Sequence, residues 1–163
     1  MTVREVRVSA PTPAEIEPSE LAALHADAFS RADGAGAPWS AAALASAIAD
    51  PATLFFVARR QGATMGFALG RRVLDETELL TIAVASDAVR SGVGALLLES
   101  LENCARDAGA VRIFLEVGVD NAPARALYAK AGFSSVGRRS GYYLGSSGRP
   151  QDALILSKSL TNH

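Results

Sequence analysis

Between Val93 and Ala108, apolar side chains recur at Val93, Leu96, Leu97, Leu101, Cys104, Ala105 and Ala108, with Glu99, Glu102, Arg106 and Asp107 between them. Returns at three and four residues mark one face of an α-helix. Gly109 stops the pattern, as a glycine past a helix end commonly does. Ahead of the helix stands a β-branched run, Glu78 to Ala85, and behind it another, Val111 to Val117. Strand, helix, strand is the part of the chain able to hold a phosphate-bearing ligand, because a helix N-terminus presents unpaired amides and the positive end of its dipole.

The flanking segments extend this core in both directions. Residues 3 to 9 alternate valine with arginine, the period-2 pattern of a half-buried strand. Leu21, Leu24, Ala28 and Phe29 fall near helical spacing from Pro18 to Phe29, and Arg31 to Pro38, rich in Gly and Ala, reads as a loop. Ser40 is a suitable N-cap for a second helix through Ile48, which Asp50-Pro51 ends. Leu54 to Arg59, Ala63 to Val73 and Glu78 to Ala85 predict an antiparallel meander, with turns at Gln61-Gly62 and Asp75-Glu76-Thr77. Past Val117, a short helix from Asn121 to Ala131 has Pro123 in its first turn and Gly132 beyond its end, and strands follow at Phe133 to Leu144 and Ala153 to Lys158. The expected order is βααβββαβαββ in one α+β domain spanning residues 1–163, with no internal repeat.

Composition narrows the function classes. Sixteen basic and seventeen acidic side chains give a formal charge of −1, without the basic excess that generic DNA or RNA binding shows. A single cysteine, Cys104, allows no internal disulfide, and His25 and His163 with Cys104 make no cluster of soft ligands for zinc. The N-terminus lacks a signal-peptide apolar core, and no run approaches the ~18 apolar residues of a membrane span. A cytoplasmic protein is expected, with no membrane, nucleic-acid or metal partner; oligomeric state is not encoded legibly.

Three places could carry chemistry. Arg90-Ser91-Gly92-Val93-Gly94-Ala95 joins a strand to the N-terminus of the strongest helix, with glycines that let amides approach an anion; the plain alternative is a turn that starts a helix. It is neither a Walker loop nor a GxGxxG. Glu116 shares a strand face with Phe114 and Arg112, and is either a proton acceptor or a solvated or arginine-paired carboxylate. Asn121 is an N-cap or a ligand contact, and Tyr128 a core aromatic or a proton donor.

Their order along the chain resembles the GNAT superfamily of N-acetyltransferases. Thr81-Ile82-Ala83-Val84, the Arg90 to Ala95 loop, Leu115-Glu116-Val117, Asn121 to Tyr128 and Ala131-Gly132-Phe133 look like its ordered motifs. Pro38-Trp39-Ser40, Leu74-Asp75-Glu76, Gly137-Arg138-Arg139 with Tyr142-Tyr143, and Asp152-Ala153-Leu154 are similar to the RimI type, the bacterial ribosomal-protein alanine N-acetyltransferases. The resemblance spans residues 38 to 156. It implies a mixed, mostly antiparallel sheet with helices on both faces and a splayed strand pair that holds acetyl-CoA. It implies that Ile82, Ala83 and Val84 offer main-chain groups to the pantetheine, that Arg90, Ser91, Gly92, Val93, Gly94 and Ala95 hold the pyrophosphate, and that Asn121 touches the cofactor beyond it. Glu116 would be the general base and Tyr128 the general acid. Val89 departs from the family pattern, which has Gln or Arg three residues before the first loop glycine, so phosphate binding should rest on amides.

The chemistry is consistent with those roles. A peptide α-amine has a pKa of about 7.7–8.0 and must lose a proton before it attacks a thioester. Glu116, directly or through water, can take that proton; main-chain N–H groups near Ile82 to Val84 can stabilise the tetrahedral oxyanion; Tyr128 can protonate the departing thiolate. The acceptor implied by the resemblance is the N-terminal amine of a ribosomal protein. Asp75, Glu76 and Glu78 either meet a basic peptide or form a solvated turn, and Trp39 lines a peptide groove or staples the helix after it. A different amine acceptor, or a non-catalytic acetyl-CoA-binding module, are the alternatives.

Overall fold

The computed structural model describes residues 5–32, 36–144 and 149–161. Tight turns build the first half of its sheet. Gln61 and Gly62, at φ 51° and 82°, join β2 (Thr53–Arg60) to β3 (Ala63–Val73), and positive φ at both turn residues matches the twist of a hairpin. Leu74, at φ 58° and 98% exposed, turns β3 into β4 (Glu76–Val84). The turn is thus shorter than the sequence predicts: Glu76 and Thr77 are already paired with Val73 and Arg72. A short β1 (Arg7–Ser9) adds to the outer edge of β2. Val3 and Arg4 of the predicted first strand, Asp33, Gly34 and Ala35 of the predicted loop, and His163 lie outside the described residues.

After β4 come α3 (Val93–Asp107), β5 (Arg112–Gly118), α4 (Ala122–Lys130), β6 (Ser134–Leu144) and β7 (Pro150–Ser159), while α1 (Pro18–Ser30) and α2 (Ala41–Ala49) lie between β1 and β2. The seven strands form one sheet in the order β1-β2-β3-β4-β5-β7-β6. Every neighbouring pair is antiparallel except β4 with β5, which α3 connects in parallel. That pair is registered only at Glu76 with Arg112, Thr77 with Ile113 and Glu78 with Phe114. Beyond those residues β4 and β5 part, and the splayed pair opens toward their C-terminal ends.

Strand alternation sends each face to a different helix pair. Leu54, Ala58, Ala68, Leu79, Leu115 and Val117 pack with Val93, Leu97, Leu98 and Leu101 of α3 and Tyr128 of α4. Phe55, Val57, Phe67, Leu69 and Ala83 pack with Leu21 of α1 and Leu44 of α2. Each buried leucine contributes about 1.5–3 kcal/mol, so the two layers fix the sheet from both sides, as the family resemblance implies. α3 is buried over a wider arc than its sequence pattern suggests. Glu102, one of the residues between the apolar positions, is 6% exposed and receives Lys158 Nζ at 2.8 Å. Gly66 lets β3 run tight against β4, because a Cβ there would lie 2.7 Å from the Ala83 carbonyl oxygen.

Candidate active site

The parting of β4 from β5 leaves one edge of β4 without a strand partner. Ala85 N–H donates to Met65 O at 2.8 Å and the Ala83 carbonyl faces Gly66, so these residues turn their main chain to β3. Alternation along a strand then aims the main-chain groups of Ile82 and Val84 into the gap. Of the three residues expected to offer main-chain groups, two therefore face the gap and Ala83 faces away. Arg31, at the end of α1, donates from Nη2 to Val84 O at 2.8 Å and pairs with Asp27 at 3.3 Å, so one carbonyl of that edge already has a donor.

The edge leads through a 3-10 turn, Ser86–Ala88, into the glycine loop. Arg90 and Gly92 hold φ of 64° and 88° on either side of Ser91, and the Ser91 hydroxyl donates to Ala88 O. Alternating left-handed residues curl successive amides toward one concave side. Gly92 is the N-cap of α3 and supplies no side-chain cap, and the first turn contains no acidic residue. The first intrahelical donor is Leu96 N–H, to Gly92 O at 3.0 Å, so the amides of Val93, Gly94 and Ala95 lie ahead of it and remain available to an anion. Val93 buries its side chain at 1% exposure, so only its main chain faces outward. Gly94 closes the other wall: a Cβ there would sit 3.5 Å from Leu127 Cδ2 and 3.7 Å from Val84 Cγ2. The cradle fits a pyrophosphate through its amides, and Val89, 44% exposed, adds no charge to it.

Glu116 lies two residues past the last β4–β5 pair, on the face of β5 opposite buried Leu115 and Val117. Its Oε1 is 2.9 Å from Arg139 Nη2. Arg139 comes from β6, where the pairing with β7 jumps from Arg139–Ala153 to Tyr143–Gln151. Asp152 fills the irregularity, accepting from Gly141 N at 2.9 Å and from Arg138 Nε at 2.6 Å. The Gly141 amide and then the Arg138 guanidinium hold the Asp152 carboxyl below the usual range.

Tyr128 is 7% exposed in the α3–α4 layer, edge-on to Phe133 with ring centroids 5.7 Å apart. Glu116 and Tyr128 are thus presented from opposite faces of the sheet. The gap between β4 and β5 is the route that joins the two faces. Asn121 accepts from Ala124 N at 3.4 Å, so the capping alternative is realised whatever else it touches. Two of the acids near the β3–β4 turn are paired within the chain: Glu76 with Arg112 at 3.4 Å and Glu78 with Arg71 at 3.3 Å.

The pattern of an acetyltransferase family, "Acetyltransferase (GNAT) family", matches residues 19–133, more than half of the chain. The chain belongs to the GNAT family. Within that family it is similar to the ribosomal protein bS18-alanine N-acetyltransferase of Escherichia coli strain K12, 38% identical over 120 residues that cover 74% of this chain and 80% of the relative. It is also similar to the N-alpha-acetyltransferase RimI of Mycobacterium tuberculosis, 40% identical over 110 residues, 65% of this chain and 68% of the relative. The crystal structure of the E. coli ribosomal-protein-S18-alanine N-acetyltransferase superposes with a TM-score of 0.78 at 33% identity, over 97% of this chain and 96% of that one. This protein is an acetyl-CoA-dependent GNAT N-acetyltransferase of RimI-like type.

Two features of this GNAT site escaped sequence reasoning. Arg139 was legible only as part of Gly137-Arg138-Arg139, with nothing to say which carboxylate it meets. His25 gave no signal beyond a lone histidine on a helix. It is 0% exposed, with Nε2 2.9 Å from Thr81 Oγ1 and Nδ1 accepting Trp39 N–H at 3.2 Å. Burial lowers its pKa to about 4. It ties α1 and the chain entering α2 to β4, one residue before Ile82. Among the described residues no helix is long and apolar enough to cross a membrane.

Proposed function

We propose that this enzyme acetylates the N-terminal alanine amine of a ribosomal protein, the bS18 counterpart in its own cell, and acts as a single domain in the cytoplasm. The observation that carries the reading is the conjunction of an unpaired strand edge, an amide cradle at one end of it and a carboxylate on the strand that has parted from it. The similarity to bS18-alanine N-acetyltransferases over 74% of the chain supplies the acceptor class.

Acetyl-CoA supplies an activated acetyl group. The amides of Gly92 to Ala95, with Arg90 and Ser91 shaping the loop, hold its pyrophosphate, and the helix dipole of α3 favours that charge. Ile82 and Val84 pair their main chain with the pantetheine arm and present an N–H toward the acetyl oxygen, where negative charge develops. Asn121 borders the same channel. Glu116 takes the proton that the α-ammonium must lose, and the Tyr128 phenol gives one to the leaving sulfur. Approach from different sheet faces suits these roles, since the amine and the sulfur occupy different corners of the tetrahedral carbon and each exchanges its proton with a separate group.

The test is acetyl-CoA-dependent mass gain on synthetic peptides that begin with alanine, serine or methionine, and on a blocked peptide with a free lysine. Alanine is expected to react fastest and the lysine not at all. Preference for the lysine or for a small amine would replace the acceptor while keeping the enzyme class, and binding of acetyl-CoA with no turnover on any amine would remove the catalytic roles.

A further inference from the structure

We propose that Arg139 is a resident cation that holds the acceptor-ammonium position on Glu116, and that an incoming primary ammonium displaces it. The inference rests on the reading of the cleft as an amine-acceptor site. Its starting point is the 2.9 Å contact between Arg139 Nη2 and Glu116 Oε1. A protonated α-amine needs the same thing that this guanidinium has, a hydrogen-bonding carboxylate at the opened edge of β5.

Two features let the exchange occur locally. The Arg139 side chain is 52% exposed against 21% for Glu116, so the guanidinium can swing into water while the carboxylate stays in place. The strand beneath it is held independently, because Asp152 binds Arg138 Nε at 2.6 Å and Gly141 N at 2.9 Å, on either side of Arg139. Arg138 thus fixes the hairpin, while the Arg139 guanidinium lies half-exposed against Glu116.

The consequence is selectivity. An open carboxylate in a cleft attracts any cation, whereas one already paired admits only a ligand that both replaces the charge and fits the channel. Arg139 is in this sense a positioning residue, setting the threshold an acceptor must exceed.

Equilibrium binding separates this from a strut that merely orients Glu116. Calorimetry with saturating coenzyme A would compare an alanine-initiated peptide with its Nα-acetylated form on the parent, Arg139→Gln and Arg139→Lys. Removing a half-exposed competitor of this kind should tighten the free-amine peptide about two- to fivefold on Arg139→Gln, leave the acetylated peptide unchanged, and give near-parent values on Arg139→Lys. Equal affinities in parent and Arg139→Gln, weaker binding of the free amine to the variant, or a shift shared by both peptides would each overturn the proposal. If the parent and both variants fail to bind the free-amine peptide while still binding coenzyme A, the acceptor reading itself falls, and this proposal with it.

Discussion

His25 and Thr81, 56 residues apart, share a buried hydrogen bond of 2.9 Å, and the Trp39 amide donates to the other ring nitrogen at 3.2 Å. Since Nδ1 accepts, the neutral ring carries its proton on Nε2 and donates to the Thr81 hydroxyl. The ring also stacks near Phe29, centroids 3.9 Å apart. His25→Ala removes both partners and opens a cavity, and should cost about 2–4 kcal/mol in denaturant unfolding.

The same residue predicts an acid dependence. Burial lowers its pKa from 6.5 to about 4 in the fold, so the unfolded chain binds this proton first as pH falls. Stability attributable to His25 is complete above pH 6.5 and declines as pH drops toward 4, by up to about 3 kcal/mol. Denaturant unfolding across that range should show the slope in the parent and lose that part of it in His25→Gln.

Gly92 and Gly94 should behave differently. Gly92 sits at φ 88°, where a side chain costs about 1–2 kcal/mol, and Gly92→Glu also places a negative charge against the pyrophosphate. Calorimetry should show at least a tenfold loss of acetyl-CoA affinity in a folded protein. A Cβ on Gly94 finds ordinary contact at 3.5 Å with Leu127. Gly94→Ala should therefore leave stability within about 0.5 kcal/mol of the parent or raise it.

Glu116→Gln and Tyr128→Phe should each lower kcat about a hundredfold or more on a true acceptor, measured by thiol release. Tyr128→Phe keeps the ring that meets Phe133 edge-on at 5.7 Å, so the variant should remain folded. Rates within twofold of the parent for both variants would remove them from the chemistry.

Asp152 should titrate below an ordinary aspartate, with the Gly141 amide as the larger cause and Arg138 as the next. Its contribution to stability is present at neutral pH and is lost as pH falls through that lowered value. Carboxyl-detected NMR should show the depression in the parent and only a partial return toward the usual value in Arg138→Gln, because the Gly141 amide remains.

The sequence by itself determined the elements and their order. The spacing of Val93, Leu97, Leu101 and Ala105 specified α3, and Ser40 and Asn121 were identified as caps because capping is decided by a few adjacent residues. It also placed Glu116 and Tyr128 in a recognisable order along the chain. Tertiary structure alone decided what those residues meet. Arg139 reaches Glu116 only because β7 inserts between β5 and β6 in the sheet, His25 reaches Thr81 only when α1 lies on β4, and Glu102 is buried because Lys158 comes over α3. The division has one physical cause: periodicity, turns and caps are set within about one helical turn of chain, whereas ion pairs and buried hydrogen bonds depend on which distant segments the packed layers bring together.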